Sequence, residues 1–242
     1  MSPPSSHPSA PARVPTPPSR VAGAALATGL GLVAWATGRK PLHAAGSTWA
    51  AELRVDSPLP DLGVPLLHQR GVHACTVRVS RAVGTPEGWW DVGGLAVRLP
   101  DAGTRGRPAD LLFATTGTGR LSRYLLRPVR QAATRPLTTL LPTRAGDRSL
   151  ELLVRPLGDA EQPREYELAV SVDGGRWTGV GLVQLRRQLP DTRTRFDPIV
   201  DELEGTKPPA WVVGLREPAY RWARRLSRSR SREVGVLPVA GD

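Results

Sequence analysis

At 242 residues the chain is long enough for one domain with a proper hydrophobic core plus tails. It carries 33 basic and 22 acidic residues, a formal net charge of +11, and Lys40 and Lys207 are its only lysines. So arginine-dominated a chain, rich also in Ala, Gly and Pro, fits a GC-rich coding sequence, and the charge alone is not read as a nucleic-acid footprint; the single Cys75 excludes an intramolecular disulfide.

Residues 1–20 are Pro/Ser-rich, cannot bury a core, and are expected to be a disordered tail; His7 within them is no ligand candidate. Residues 21–38 are apolar, follow Arg20, and precede Arg39-Lys40. They are expected to form an N-terminal helix packed on the domain. Val21 to Thr37 falls slightly short of the ~20 residues a spanning helix needs, and it is built of Ala, Gly and Leu rather than large apolar residues. Membrane association through residues 21–37 and an export signal are the competing readings. No clear small-residue cleavage site with a polar start follows. The expected location is cytoplasmic, with membrane association as the alternative.

Residues 39–226 form the expected domain. Ser47 to Val55 alternates in polarity and reads as a strand, as do Val72 to Ser80, Leu95 to Leu99, Leu111 to Thr116, Leu150 to Arg155, Glu165 to Val172 and Trp177 to Leu185. Cys75 lies in one of these stretches and reads as a buried small apolar residue. Asp173-Gly174-Gly175 between the last two is a strong hairpin signal and predicts adjacent antiparallel strands. Asp56 to Gly63 and Pro100 to Pro108 read as loops. Seven or eight strands with Gly/Pro-rich connections suit a sandwich or a closed barrel, and closure removes exposed edges. The expected fold class is mainly β, an antiparallel β-barrel from about Ser47 to Leu185.

Beyond Pro190 the pattern changes. Pro208-Pro209 can open a helix, and Trp211, Leu215, Tyr220 and Trp222 supply apolar bulk. Pro218 inside this stretch removes an amide donor and clashes with the preceding turn unless a new helix begins there. A kink or two short helices are expected, followed by a basic flexible tail over residues 227–242.

Few enzyme motifs are present. No H-E-x-x-H, G-x-S-x-G or P-loop sequence occurs. His68 and His73 with the following Cys75 do not match a strong metal spacing, although His73 and Cys75 share a strand face. Thr115-Thr-Gly-Thr-Gly119 lacks the lysine and the length of a phosphate loop and reads as a turn. Trp89-Trp90 is the only adjacent aromatic pair. With so few stacking aromatics, nucleic acid is not the expected partner. The pair sits between turn residues, where it could touch a membrane interface or a protein.

Arg216-Glu-Pro-Ala-Tyr220 puts an arginine four residues before a tyrosine, which on a helix places both on one face. A cation there favours phenolate, a form that tyrosine otherwise reaches only near pH ~10. Tyrosinate is one of the few protein ligands for haem iron. Further pieces occur in order. Lys40-Pro-Leu-His43-Ala-Ala-Gly46 resembles the H-x-K-G segment that opens the catalase barrel. Thr76-Val-Arg78-Val-Ser80 resembles its V-R-F-S strand, and Asp91 to Leu99 resembles R-G-F-A-V-K-F. Asp110-Leu-Leu-Phe-Ala-Thr-Thr116 resembles D-L-V-G-N-N-T. Arg195-Phe-Asp-Pro198 and the Arg216–Tyr220 segment are similar to the F-D-P and R-x-x-A-Y segments of small catalase-related peroxidases. The chain thus resembles a divergent member of the catalase-like superfamily over about Arg39 to Arg225.

The resemblance implies haem as cofactor, with Tyr220 as iron ligand and Arg216 as its stabiliser. It implies His43 as the distal acid/base, Arg78 as a partner of a haem propionate, and Lys40 near where the family often places a propionate-binding arginine. The implied activity is a haem peroxidase acting on hydrogen peroxide or organic hydroperoxides. Three departures weigh against full catalase activity. The family's distal asparagine falls near Ala114-Thr115 in a chain with no asparagine, the lysine of H-x-K-G is Ala45, and Phe113 and Phe196 are the only phenylalanines. The alternative is a haem-free catalase-like barrel acting as a ligand-binding or structural module, with a basic surface for anionic partners.

Overall fold

The computed structural model describes residues 46–81, 88–130, 134–139, 142–158, 162–190, 196, 198 and 200–208. The expected helices over residues 21–38 and beyond Pro208, and the two tails, lie outside the described residues. Among the described residues nine strands run β1 Gly46–Val55, β2 Gly71–Arg81, β3 Gly93–Leu99, β4 Ala109–Thr115, β5 Leu137–Thr138, β6 Thr143–Ala145, β7 Arg148–Pro156, β8 Glu165–Val172 and β9 Thr178–Leu189. All pairings between them are antiparallel, in the order β5-β4-β3-β2-β1-β9-β8-β7-β6. β5 also pairs with β7, through Leu137 with Val154 and Thr138 with Leu153. That pairing closes an eight-stranded barrel and leaves β6 as a hairpin extension of β7, so the long strands have no open edge.

Each long strand turns alternate side chains inward because successive Cβ atoms point to opposite faces. Trp49, Ala51, Leu53 and Val55 of β1 meet Cys75 and Val77 of β2, and Leu95, Val97 and Leu99 of β3. Leu111 and Phe113, then Leu150, Leu152 and Val154, then Tyr166, Leu168 and Val170, continue the lining. Each fully buried aliphatic side chain contributes about 1.5–3 kcal/mol. Burial pushes the Cys75 thiol up to about 12, with the nearby Glu52 charge adding to it, so Cys75 is a small core residue as its sequence setting implies. These side chains line the lumen and form one continuous apolar core.

The Asp173-Gly174 turn joins β8 to β9 as expected. Both residues have positive φ, 50° and 67°, the conformation a tight two-residue hairpin requires. Asp173 also caps the neighbouring β7: its carboxylate accepts from the Ser149 amide at 2.8 Å and from Arg148 Nε at 2.5 Å.

One end of the barrel is plugged by two segments. The β1–β2 connection contains a short helix, Pro65–His68, whose Leu66 and Leu67 join the core. Residues 200–208 cross the same end. Leu203 enters the core, Asp201 O accepts from the Asp110 amide at 2.8 Å, and Lys207 bridges Arg144. Gly205 lies so close to Gly63 that any Cβ would run into the Gly63 carbonyl. Arg98 fastens this segment from β3: it forms a two-pronged pair with Asp110 at 2.7 and 2.6 Å and reaches Asp201 at 3.4 Å. The guanidinium also sits 5.1 Å from the Phe196 ring centre. Among the described residues no helix is long and apolar enough to cross a membrane.

Candidate functional site

Arg78 is the one candidate residue that falls within the described residues; His43, Lys40, Arg216 and Tyr220 lie outside them. Cys75 and Val77 point into the barrel, so alternation puts Arg78 on the outward face of β2, where it is half-buried. The register then defines its surroundings. Arg78 is opposite Thr48 of β1 and Ala96 of β3, and Ala96 is opposite Leu112 of β4. One step along, Ser80 is opposite Gly46 and Gly94, and Gly94 is opposite Ala114. Residues directly opposite in antiparallel strands share a face. The outward face of β1 to β4 therefore carries a strip of small side chains, Gly46, Ser80, Gly94, Ala96 and Ala114, with Arg78 beside it.

This face is not an ordinary solvated sheet surface, because Ala96 on the strip and Thr48 beside Arg78 are buried. The strip's smallness is partly enforced. A Cβ on Gly46 would stand 2.8 Å from the Val79 carbonyl oxygen, 3.2 Å from Ser80 Cβ and 3.3 Å from Arg78 Nε. The Arg78 side chain thus passes over the position where any other residue would carry its Cβ. Gly46 is the glycine of the His43-Ala-Ala-Gly46 segment, and this close approach is the physical reason a glycine is needed there.

Ala114 and Thr115 stand where the resemblance puts a distal amide. Ala114 faces the strip and has no donor. Thr115 is fully buried on the other face, where its hydroxyl donates to the Arg127 carbonyl at 2.8 Å and accepts from the Gly93 amide at 3.1 Å. Both hydrogen-bonding capacities of the Thr115 hydroxyl are thus engaged within the fold.

The turn reading of Thr115 to Gly119 also acquires a physical basis, since its amides serve the fold: Gly117 N donates to Ser122 O and Gly119 N to Ser122 Oγ, both at 3.0 Å. His68 Nδ1 lies 3.0 Å from the Val64 carbonyl oxygen and 3.3 Å from Asp61 Oδ1, within the loop that plugs the barrel end. Among the described residues no group of three or more His, Cys, Asp and Glu gathers as a metal site.

A second polar constellation lies on the outward face of β7 and β8. Arg123, from the loop after β4, donates from Nη1 to Glu151 Oε2 at 2.6 Å and to Ser171 Oγ at 2.7 Å. Its Nη2 donates to the Gly175 carbonyl and its Nε to the Gly119 carbonyl, each at 3.2 Å. The guanidinium stacks 4.4 Å from the Trp177 ring centre. Trp177 Nε1 donates to Thr118 O at 2.8 Å, and Tyr124 OH donates to the other Glu151 oxygen. Burial first, and then the bond to Glu151, push the Tyr124 phenol well above its usual range. Every donor is matched, and no buried side-chain polar atom among the described residues lacks a partner. The knot ties the β4–β5 connection and the β8–β9 hairpin to the barrel. Sequence reasoning missed it, and no local motif joins Arg123 to Glu151.

The chain is similar in structure to a bacterial catalase, with a TM-score of 0.53 and 14% identity over 74% of this chain and 55% of that one. It is also similar to a fungal catalase, with a TM-score of 0.50 and 11% identity over 74% of this chain and 57% of that one. The chain thus spans a little over half the length of the catalases it matches. No protein-family model matches the sequence, and no characterised protein matches it at the level of sequence. The fold is catalase-like.

Proposed function

We propose that this catalase-like barrel binds haem on the outward strip of β1 to β4 and uses it as a peroxidase. The observation that carries the reading is the strip itself. A run of Gly, Ala and Ser side chains offers a flat bed for a planar macrocycle, and Arg78 at its side offers a cation for a carboxylate. His43 precedes Gly46 by three residues, and that covalent tether keeps it within roughly 11 Å of the strip.

By resemblance, Tyr220 would hold the iron and Arg216 would keep it as phenolate, while Lys40 would join Arg78 in pairing with the cofactor's carboxylates. Bound haem would supply the redox chemistry that cleaves a peroxide bond. His43 would take a proton from one peroxide oxygen and return it to the other, a task suited to a side chain with an ordinary pKa near ~6.5. Ala114 offers no donor to orient the peroxide, and the Thr115 hydroxyl is occupied elsewhere. Turnover as a peroxidase should therefore exceed turnover as a catalase.

The substrate class is hydrogen peroxide or organic hydroperoxides. The test is peroxide turnover of haem-loaded protein with His43→Ala. The variant should keep haem and lose most peroxide reactivity; unchanged turnover would mean that any activity belongs to loosely held haem. The missing donor at Ala114 and the engaged Thr115 also favour a second reading, a haem-free barrel kept for ligand binding or structure. Protein that takes up no haem would leave that reading standing.

A further inference from the structure

At the barrel end opposite the plug, two segments run side by side. Residues 88–92 lead into β3, residues 125–130 follow the loop after β4, and an antiparallel bridge joins Asp91 to Val129 through mutual amide–carbonyl bonds of 3.0 and 2.8 Å. Asp91 and Val129 are buried, but their neighbours are not. Trp89 is 66% exposed, Trp90 60% and Leu125 44%. Arg127 and Arg130 are exposed beside them, and Arg130 lies over the Trp90 ring at 5.4 Å. The one acid in the two segments, Asp91, is buried 3.5 Å from Arg81. Glu87 precedes the tryptophans in sequence, outside the described residues.

Large exposed aromatics cost free energy in water, and tryptophan is favoured where an apolar ring meets a wet polar layer. Arginine beside such rings can reach lipid phosphate while its stem stays against the apolar side. Here exposed tryptophan, leucine and arginine share one rim, and no exposed acid lies within the two described segments. We infer that this rim is a docking surface for an anionic membrane, with Trp89 and Trp90 seated at the headgroup level and Arg127 and Arg130 facing lipid phosphates. The contact is peripheral, made by loop residues of the barrel. It is independent of residues 21–37 and of haem.

The experiment is vesicle co-sedimentation of the full chain. One vesicle set is phosphatidylcholine alone, and the other contains phosphatidylserine at about a third of the lipid. Wild type should partition onto the anionic vesicles, and the binding should weaken as salt rises. Trp89→Ala/Trp90→Ala should lower the partition coefficient by roughly an order of magnitude or more. Arg127→Gln/Arg130→Gln should lower it by roughly fivefold per arginine on anionic vesicles and leave phosphatidylcholine unaffected. All four sites are exposed, and an unchanged thermal melt confirms folded variants. Equal partition of wild type and the tryptophan variant would overturn the inference and assign any binding to another part of the chain. Absence of vesicle binding together with self-association that the tryptophan variant abolishes would overturn it in favour of a protein interface.

Discussion

Arg123→Ala tests the polar knot on β7 and β8. The Arg123 and Glu151 side chains are 3% and 2% exposed, so the pair is shielded from bulk water. The substitution leaves the Glu151 carboxylate buried with the Tyr124 hydroxyl as its remaining donor in the knot, and it removes the guanidinium from the Trp177 ring and one hydrogen bond each from Ser171 Oγ and the Gly119 and Gly175 carbonyls; the Ser171 Oγ–Gly175 O and Arg123 N–Gly119 O bonds stay. Breaking a buried pair from one side typically costs about 3–5 kcal/mol, a large share of the ~5–15 kcal/mol that holds a domain folded. For a domain of this size, that corresponds to a fall in Tm of roughly 6–20 °C. Urea denaturation followed by tryptophan fluorescence reads the loss, with Trp177 as a local reporter. Arg148→Ala is the control: its pair with Asp173 is about half-exposed on both sides, so its loss should leave the melt nearly unchanged. Combining Arg123→Met, Tyr124→Phe and Glu151→Leu removes charge and donors together and should recover much of the loss. If Arg123→Ala behaves like the exposed control, the knot does not hold the loop.

Three further outcomes are expected. The Cys75 thiol, buried in the core and pushed up to about 12 by that burial, should resist a disulfide reagent at pH 8 and should react at once in urea; rapid native labelling would contradict its core position. The Ser149 amide first, and then the Arg148 bond, hold the Asp173 carboxyl below its usual range. Its folded pKa is depressed, so its stabilising contribution is present above the unfolded carboxyl range and is lost as pH falls through the folded value. The urea midpoints of wild type and Asp173→Asn should therefore differ at neutral pH and converge in acid; a gap that persists in acid would show that the effect is not ionic. Gly46→Ala places a Cβ against the Val79 carbonyl and the Arg78 side chain, and should cost about 1–3 kcal/mol while displacing Arg78 and lowering haem affinity. Wild-type haem affinity in that variant would remove Arg78 from the binding site.

The strands that were legible in the sequence are those long enough to show a period. β1, β2, β3, β4, β7, β8 and β9 each run seven residues or more, and the Asp173-Gly174 turn announces its own geometry. β5 has two residues and β6 three, too few for any period, yet β5 supplies the pairing that closes the barrel. The Pro65–His68 helix is a single turn, and Leu203 is one apolar residue among charges, so neither announces its place in the plug. Ala114 and Thr115 were read together as one position. Alternation decides between them, but only once the inward set of β4 is known from Leu111 and Phe113. The Arg123–Glu151 pair joins a loop to a strand far away in sequence, and only the fold brings the two together.

Arg78 was read from a short resemblance, and the register now gives it a setting of small residues that the sequence order alone did not reveal. The most direct measurement is the absorption spectrum, from the near-ultraviolet to the red, of full-length protein titrated with haem, compared with Tyr220→Phe. The account predicts a saturable Soret band in wild type that Tyr220→Phe shifts or abolishes, with the fold unchanged. A wild type that binds no haem, or a band identical in the two proteins, would contradict it.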